Sequence, residues 1–221
     1  MYTLQSVPDF ASLIVHLVLE ELAQPYTLNT VSLDNGDLDS PAHRALHPFG
    51  KIPALQTPDG PMFETAAITL WLADRHGALA PAPTAPDRAG FLSWFFFTNF
   101  SLHTGMMTLV HPERSGGDAA AFAVSQTTYA RLMDELATFN SMIIAHKPRW
   151  LSPDIPSILA YHLAVLMRWM KAFAHFPEHA IESTKFPAIH AILRAMETRP
   201  AAIRAAKDEG LTGTFFSNPE S

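Results

Sequence analysis

Residues 47–68, HPFGKIPALQTPDGPMFETAAI, hold the densest group of residues whose types and order suit ligand chemistry. A His47-Pro48-Phe49-Gly50 turn leads through Lys51 into an Ile52-Pro53 step and a short apolar run. The Pro58-Asp59-Gly60-Pro61 turn that follows is a hairpin signal, because proline presets φ and glycine accepts a positive one. Glu64-Thr65 then opens an apolar-periodic helix, where unpaired backbone N–H groups favour an anion. A backbone edge beside a proline, joined to an anion-binding helix start, suits a ligand with a peptide backbone and a carboxylate. His43 and His47, four apart, have the spacing of a metal pair; Pro48 and the lack of neighbouring acids argue against it, and both are read as surface residues. No Ser-His-Asp set, phosphate loop or dinucleotide fingerprint is present.

The elements that must position this stretch follow from periodicity. Tyr2 to Gln5 reads as a strand, and a helix beginning at Pro8 or Asp9 carries Leu13, Leu17, Val18 and Leu22 on one face. Tyr26 to Ser32 alternates as a second strand, giving a βαβ unit with a right-handed crossover. Pro41 to Leu46 is a short helix, Ala54 to Gln56 and Met62 to Phe63 are hairpin strands, and Thr65 to His76 is a helix. Residues 80–86 contain three prolines and read as a stiff linker between a domain spanning 1–79 and one spanning 87–221. Beyond the linker the pattern is helical throughout: Asp87 to Val110, Ala119 to Ala145, Ser157 to Phe173, Phe186 to Arg199 and Pro200 to Glu209.

Composition narrows the function classes. The 221 residues are 48% hydrophobic, enough for one large core or two small ones. A net charge of −6 without a Lys/Arg block argues against nucleic acid or an anionic membrane as partner. The absence of cysteine excludes disulfides, thiolate metal sites and any mechanism in which the protein forms a mixed disulfide. No run reaches the roughly 18 apolar residues of a membrane span, and no secretory pattern opens the chain, so a cytoplasmic protein is expected. Only 16% of residues are charged, which leaves apolar surface for an oligomer to cover.

A small α/β module joined by a proline-rich linker to an all-helical half resembles the glutathione transferase superfamily. The 47–68 stretch is similar to that family's N-P-x-G-K-V-P-x-L…D-G…E-S-x-A-I pattern, and Leu102-His103 is similar to a segment of its bacterial beta class. The closing Phe186-Pro187-Ala188, Arg199-Pro200-Ala201 and Glu209-Gly210-Leu211 also match. The resemblance implies a thioredoxin-like glutathione-binding domain followed by an all-α domain, in a homodimer. It implies a cis Pro53, the Ile52 backbone on the cysteinyl unit of glutathione, Glu64 and Thr65 on the γ-glutamyl end, Lys51 near the glycine carboxylate, and Phe49 inserted into a partner subunit. The implied activity is conjugation of the glutathione co-substrate to a small hydrophobic electrophile. The alternative is a protein of this fold that only binds glutathione or a hydrophobic ligand.

Conjugation requires a thiolate, and a free thiol near pKa ~8.5 is only a few per cent ionised at neutral pH. Family members place a Tyr, Ser or Cys near the end of the first strand, whereas aligning this chain on Pro8 puts Phe10 and Ala11 at those positions. Ser12 and Ser6 remain as hydroxyl donors, although Ser12 can equally bond its own backbone. His103 corresponds to a family position that faces the thiol. Phe96, Phe100, Met106 and Met107 lie at helical spacing around it and, with Phe10, are candidates for an apolar pocket. The helix at Ser157 lacks the family's acid at Ala160, so Ala160→Asp is expected to raise the melting temperature.

Overall fold

The structure, a computed structural model, describes residues 1–220. Its elements are β1 (Tyr2–Ser6), α1 (Ser12–Glu21), β2 (Tyr26–Thr30), α2 (Pro41–Leu46), β3 (Ala54–Thr57), β4 (Gly60–Phe63) and α3 (Thr65–His76). The helices α4 (Arg88–Phe97), α5 (His103–Val110), α6 (Glu113–Gly116), α7 (Ala121–His146), α8 (Ile158–Ala172), α9 (Pro187–Glu197) and α10 (Pro200–Asp208) follow. The chain forms two compact units, Met1–Ala85 with Arg199–Thr212, and Pro86–Thr198 with the residues from Gly213 onward.

The first unit is built on a four-stranded sheet in the order β2-β1-β3-β4, with β1 parallel to β2 and the other pairs antiparallel. The parallel pair needs a crossover, which α1 supplies. Leu13, Ile14, Val15, Leu17, Val18 and Leu19 of α1 are fully buried, as are Leu4 and Leu55 on the sheet. Each such side chain contributes about 1.5–3 kcal/mol over an exposed one. The helix starts at Ser12 rather than at Pro8 or Asp9, because Asp9 takes φ +58° and the chain turns before helical geometry begins.

Helix α10, expected from its sequence position among the helical half, packs on α1 and so belongs to the first unit. Arg199 grips Glu21 through two hydrogen bonds of 2.6 and 2.9 Å, and Arg204 meets Glu20 at 2.6 Å. Bidentate arginine–carboxylate geometry of this kind adds orientation as well as energy.

In the second unit α4 and α5 are one continuous rod interrupted by a π-helical stretch, Thr98–Leu102. The sequence reads as a plain helix there. There the Thr98 hydroxyl donates to the Trp94 carbonyl at 2.9 Å and the Asn99 amide to the Phe95 carbonyl at 2.8 Å. Helix α5 lies so close to α7 that a Cβ on Gly105 would stand 2.7 Å from atoms of Arg131 and Leu132. Trp94 stacks on Phe139 at 4.7 Å, and Phe91 stacks on Phe95 at 5.5 Å. Ser157 caps α8, accepting the Ala160 N–H at 3.0 Å.

Candidate functional site

Strand register decides which loops meet. Gln5 of β1 pairs with Ala54 of β3, which pairs in turn with Phe63 of β4. Because β3 runs against both neighbours, the end of β1, the start of β3 and the end of β4 share one edge of the sheet. Three segments leave the sheet there: residues 7–11, residues 51–53 and the Glu64-Thr65 step into α3.

The middle segment is held from behind. The Ile52–Pro53 peptide bond is cis, as the resemblance implies. The His43 Nε2–H of α2 donates to the Lys51 carbonyl at 2.9 Å. His47 accepts the Phe49 N–H on Nδ1 at 3.3 Å, while its ring lies 4.9 Å from that of Phe63. Burial holds the His47 pKa below the ordinary histidine value, in keeping with an acceptor nitrogen, and the Glu64 charge opposes that shift. Both histidines, read from the sequence as surface residues, are therefore buried parts of the turn. Gly50 takes φ +59°, and a Cβ on it would meet the Leu38 carbonyl at 2.7 Å. Lys51 is exposed and Ile52 half-buried.

Glu64 has φ +71° and ψ +115°, a conformation that costs a non-glycine residue about 1–3 kcal/mol. It leads into α3 without a side-chain cap, so first-turn N–H groups beside buried Thr65 lack an internal partner of that kind. A strained residue at an uncapped helix start is an arrangement for receiving an anion.

The first segment differs from its sequence expectation. Ser12 is 0% exposed. Its hydroxyl donates to the Val7 carbonyl at 3.0 Å and accepts the Val7 N–H at 3.1 Å, so its single hydrogen is committed within the turn. Ser6 is buried at the end of β1. Phe10 is largely exposed, and Ala11 begins α1 without a side-chain cap. The Asp9 N–H donates to Glu209 Oε2 at 2.8 Å. Sequence reasoning missed Glu209 as a site neighbour, since it lies 200 residues away and no local pattern marks it.

In the second unit His103 stands at the end of the π-helical stretch with Nδ1 3.4 Å from Nε2 of buried His162. Burial pushes the His103 pKa down to about 4, and burial followed by the neighbouring His103 lowers that of His162, so both imidazoles are neutral at pH 7. Phe96 and Phe100 are brought together, stacked at 5.8 Å and exposed. Met107 is 39% exposed, but Met106 is 2% exposed and packs in the core. Of the four residues at helical spacing around His103, Phe96, Phe100 and Met107 thus stay at the surface and Met106 turns inward.

A four-stranded mixed sheet with this crossover and a cis proline at its edge, together with a helical unit, defines a glutathione transferase architecture. The model of the glutathione S-transferase N-terminal domain matches residues 11–75. A glutathione S-transferase of Xanthomonas campestris pv. campestris is 27% identical over 215 residues, covering 94% of this chain and 98% of the relative. Among solved structures, a glutathione transferase of Methylococcus capsulatus strain Bath is 25% identical with a TM-score of 0.76, covering 96% and 100% of the two chains. A sphingomonad glutathione S-transferase complexed with glutathione is 26% identical with a TM-score of 0.75, covering 95% and 100%. Residues 11–75 thus match a glutathione S-transferase N-terminal domain, and over nearly its whole length the chain is similar to glutathione transferases.

Proposed function

We propose that the protein is a glutathione S-transferase that joins the glutathione sulfur to a small apolar electrophile. The observation that carries this reading is the meeting of three segments at one sheet edge: residues 7–11, the cis Ile52–Pro53 step, and the Glu64-Thr65 entry to α3. In this reading the Ile52 backbone pairs with the cysteinyl unit. Glu64 and Thr65 hold the γ-glutamyl end, whose amine finds a carboxylate and whose carboxylate finds the α3 N–H groups. Lys51 takes the glycine carboxylate.

The sulfur is left to the turn before α1. With the Ser12 hydroxyl engaged by Val7 and Ser12, Leu13 and Ile14 fully buried, we assign thiolate stabilisation to the backbone of residues 9–11 that leads into α1, Ser12 acting by holding that turn and Ser6 standing as a second hydroxyl. Backbone N–H groups and the positive end of the helix favour the anion over the thiol. Each pKa unit so gained corresponds to about 1.4 kcal/mol. The thiol proton leaves to solvent, the sulfur electron pair forms a bond to the electrophilic carbon, and that carbon expels a leaving group or passes electrons into a conjugated acceptor. Within the helical unit Phe96, Phe100 and Met107 are assigned to apolar co-substrates, with neutral His103 beside them; in the first unit Phe10 is a further exposed apolar side chain.

A homodimer and cytoplasmic residence belong to the same proposal. Phe49 is 68% exposed, a large aromatic left in water by the isolated chain. A recess of about 400 Å³ lined by Trp94, Phe97, Glu135 and Thr138 offers a second apolar surface for another copy. Glutathione is the thiol that keeps the cytosol reducing.

Calorimetric titration with glutathione, paired with a turnover assay against aromatic electrophiles on the same preparation, tests the reading. Binding with turnover is the expected result. Binding without turnover would identify a glutathione-binding protein, and no binding would overturn both.

A further inference from the structure

The side chain that governs the turn before α1 comes from the far end of the chain. Glu209 follows α10 and is buried. One carboxylate oxygen accepts the Asp9 N–H at 2.8 Å; the other accepts Nδ1–H of fully buried His16 at 2.9 Å. On the opposite side of the His16 ring, Nε2 lies 2.8 Å from the Tyr26 hydroxyl, which donates in turn to Glu20. Burial, then the hydrogen bond to Glu20, raises the Tyr26 pKa well above the ordinary phenol value, so the hydroxyl stays a donor. Glu20 is also held by Arg204 of α10. Glu209 is thus clamped at a fixed place by α1, β2 and α10 together, and the group it grips directly is the backbone of the turn.

That turn needs gripping. Asp9 takes φ +58°, a region where few side chains but Asp and Asn settle. Val7 is pinned on the other side by Ser12, through both its N–H and its carbonyl. Between those anchors lie Phe10 and Ala11, the residues at which the family supplies a hydroxyl or thiol and this chain does not. Without such a side chain at either position, the turn itself lowers the thiol pKa through the orientation of its backbone N–H groups, and orientation depends on the anchors.

We propose that Glu209 is a positioning residue for the glutathione thiolate: its carboxylate, held by His16, fixes the Asp9 backbone and thereby the turn of residues 9–11 leading into α1, on which the sulfur depends. The assignment rests on the glutathione transferase reading above and deepens it. Glu209 touches neither substrate nor sulfur. Its removal therefore changes ionisation of the bound thiol more than the grip on the rest of glutathione, which belongs to Lys51, Ile52, Glu64 and Thr65.

The test compares wild type, Glu209→Ala, Glu209→Asp and Glu209→Gln in the pH profile of kcat/KM, in the ultraviolet absorbance of the enzyme-bound thiolate, and in the calorimetric Kd for glutathione. In Glu209→Ala the apparent pKa of bound thiol should rise by about one unit, lowering kcat/KM about tenfold below that pKa while Kd changes less than about threefold. Glu209→Gln, whose amide oxygen can accept the Asp9 N–H while its NH₂ faces His16 in the other tautomer, should recover most of the shift. If Glu209→Ala does not fold, Glu209→Asp supplies the measurement. It keeps the charge but is one methylene too short to reach both partners, and should raise the pKa as well. Folded variants with a wild-type pH profile, or with losses in Kd that account for all of the change in kcat/KM, would overturn the assignment of Glu209 alone. Wild-type protein that does not bind glutathione would overturn the functional reading on which it rests.

Discussion

Single residues at this site carry costs that the fold does not repay by itself. Glu64 is the clearest case, since its positive φ strains any side chain while glycine would sit there freely. Glu64→Gly is therefore expected to keep or raise the melting temperature, measured by calorimetric scanning, while weakening glutathione binding at least about tenfold through loss of the carboxylate. A lower melting temperature together with unchanged affinity would remove Glu64 from the site. The His103–His162 pair gives a pH prediction. Both folded pKa values lie below the unfolded histidine value of about 6.5. On acidification the unfolded chain takes up protons first, so the stability these residues contribute is complete above about pH 6.5 and is lost as pH falls toward 4. The melting temperature should drop between about pH 7.5 and 5. That drop should shrink in His162→Phe, and an undiminished drop would place its source elsewhere. The turn chemistry of Gly50, Pro53 and Gly60 was legible as residue types; the strain at Glu64 was not, because nothing local in Phe63-Glu64-Thr65 demands a positive φ.

Elements show where local sequence pattern is a reliable guide and where packing overrides it. Helix α3 begins at Thr65 and ends at His76 as its periodicity predicts, and α2 likewise runs from Pro41 to Leu46. The rod from Arg88 to Val110 was legible as helix but not as a helix with a π turn at Thr98–Leu102, which no local residue pattern marks. Along it Met106 turns into the core while Phe96 and Phe100 stay exposed. The start of α8 reverses a sequence expectation. Supplying Asp at position 160 looks like completion of a cap, yet Ala160 is 0% exposed and the Ser157 hydroxyl already serves both Ala160 and the Trp150 carbonyl. A carboxylate there would lose its hydration for, at best, one backbone donor. Ala160→Asp is accordingly expected to lower the melting temperature by several degrees, about 1–3 kcal/mol in stability, and a rise on scanning calorimetry would restore the simple capping argument.

At the scale of the molecule, the chain's last segment is part of its first unit. Arg199, Arg204 and Glu209 reach Glu21, Glu20 and Asp9 across nearly the full length of the sequence. Removing residues 199–212 would expose the apolar face of α1 and release the turn at Asp9 together, which joins stability of this unit to its proposed chemistry. Phe49 belongs to the same scale, because the proposed homodimer would cover it. Phe49→Asp should shift the sedimentation mass from dimer to monomer, and an unchanged dimer would mean that this ring is not its anchor.

By itself the sequence determined the α/β module, the helical half and the hairpin stretch at 47–68, because alternation, helical periodicity and proline–glycine turns are local properties written within a dozen residues. It also determined that the protein offers no thiol of its own. Tertiary structure decided which hydroxyls and carboxylates remain for chemistry. Ser12 spends its hydrogen on Val7, His43 and His47 are drawn inside to hold the turn around Lys51, and Glu209 arrives from 200 residues away to hold Asp9. Those outcomes depend on hydrogen-bond partners that only folding brings within 3 Å or so of one another, and no spacing along the chain encodes them.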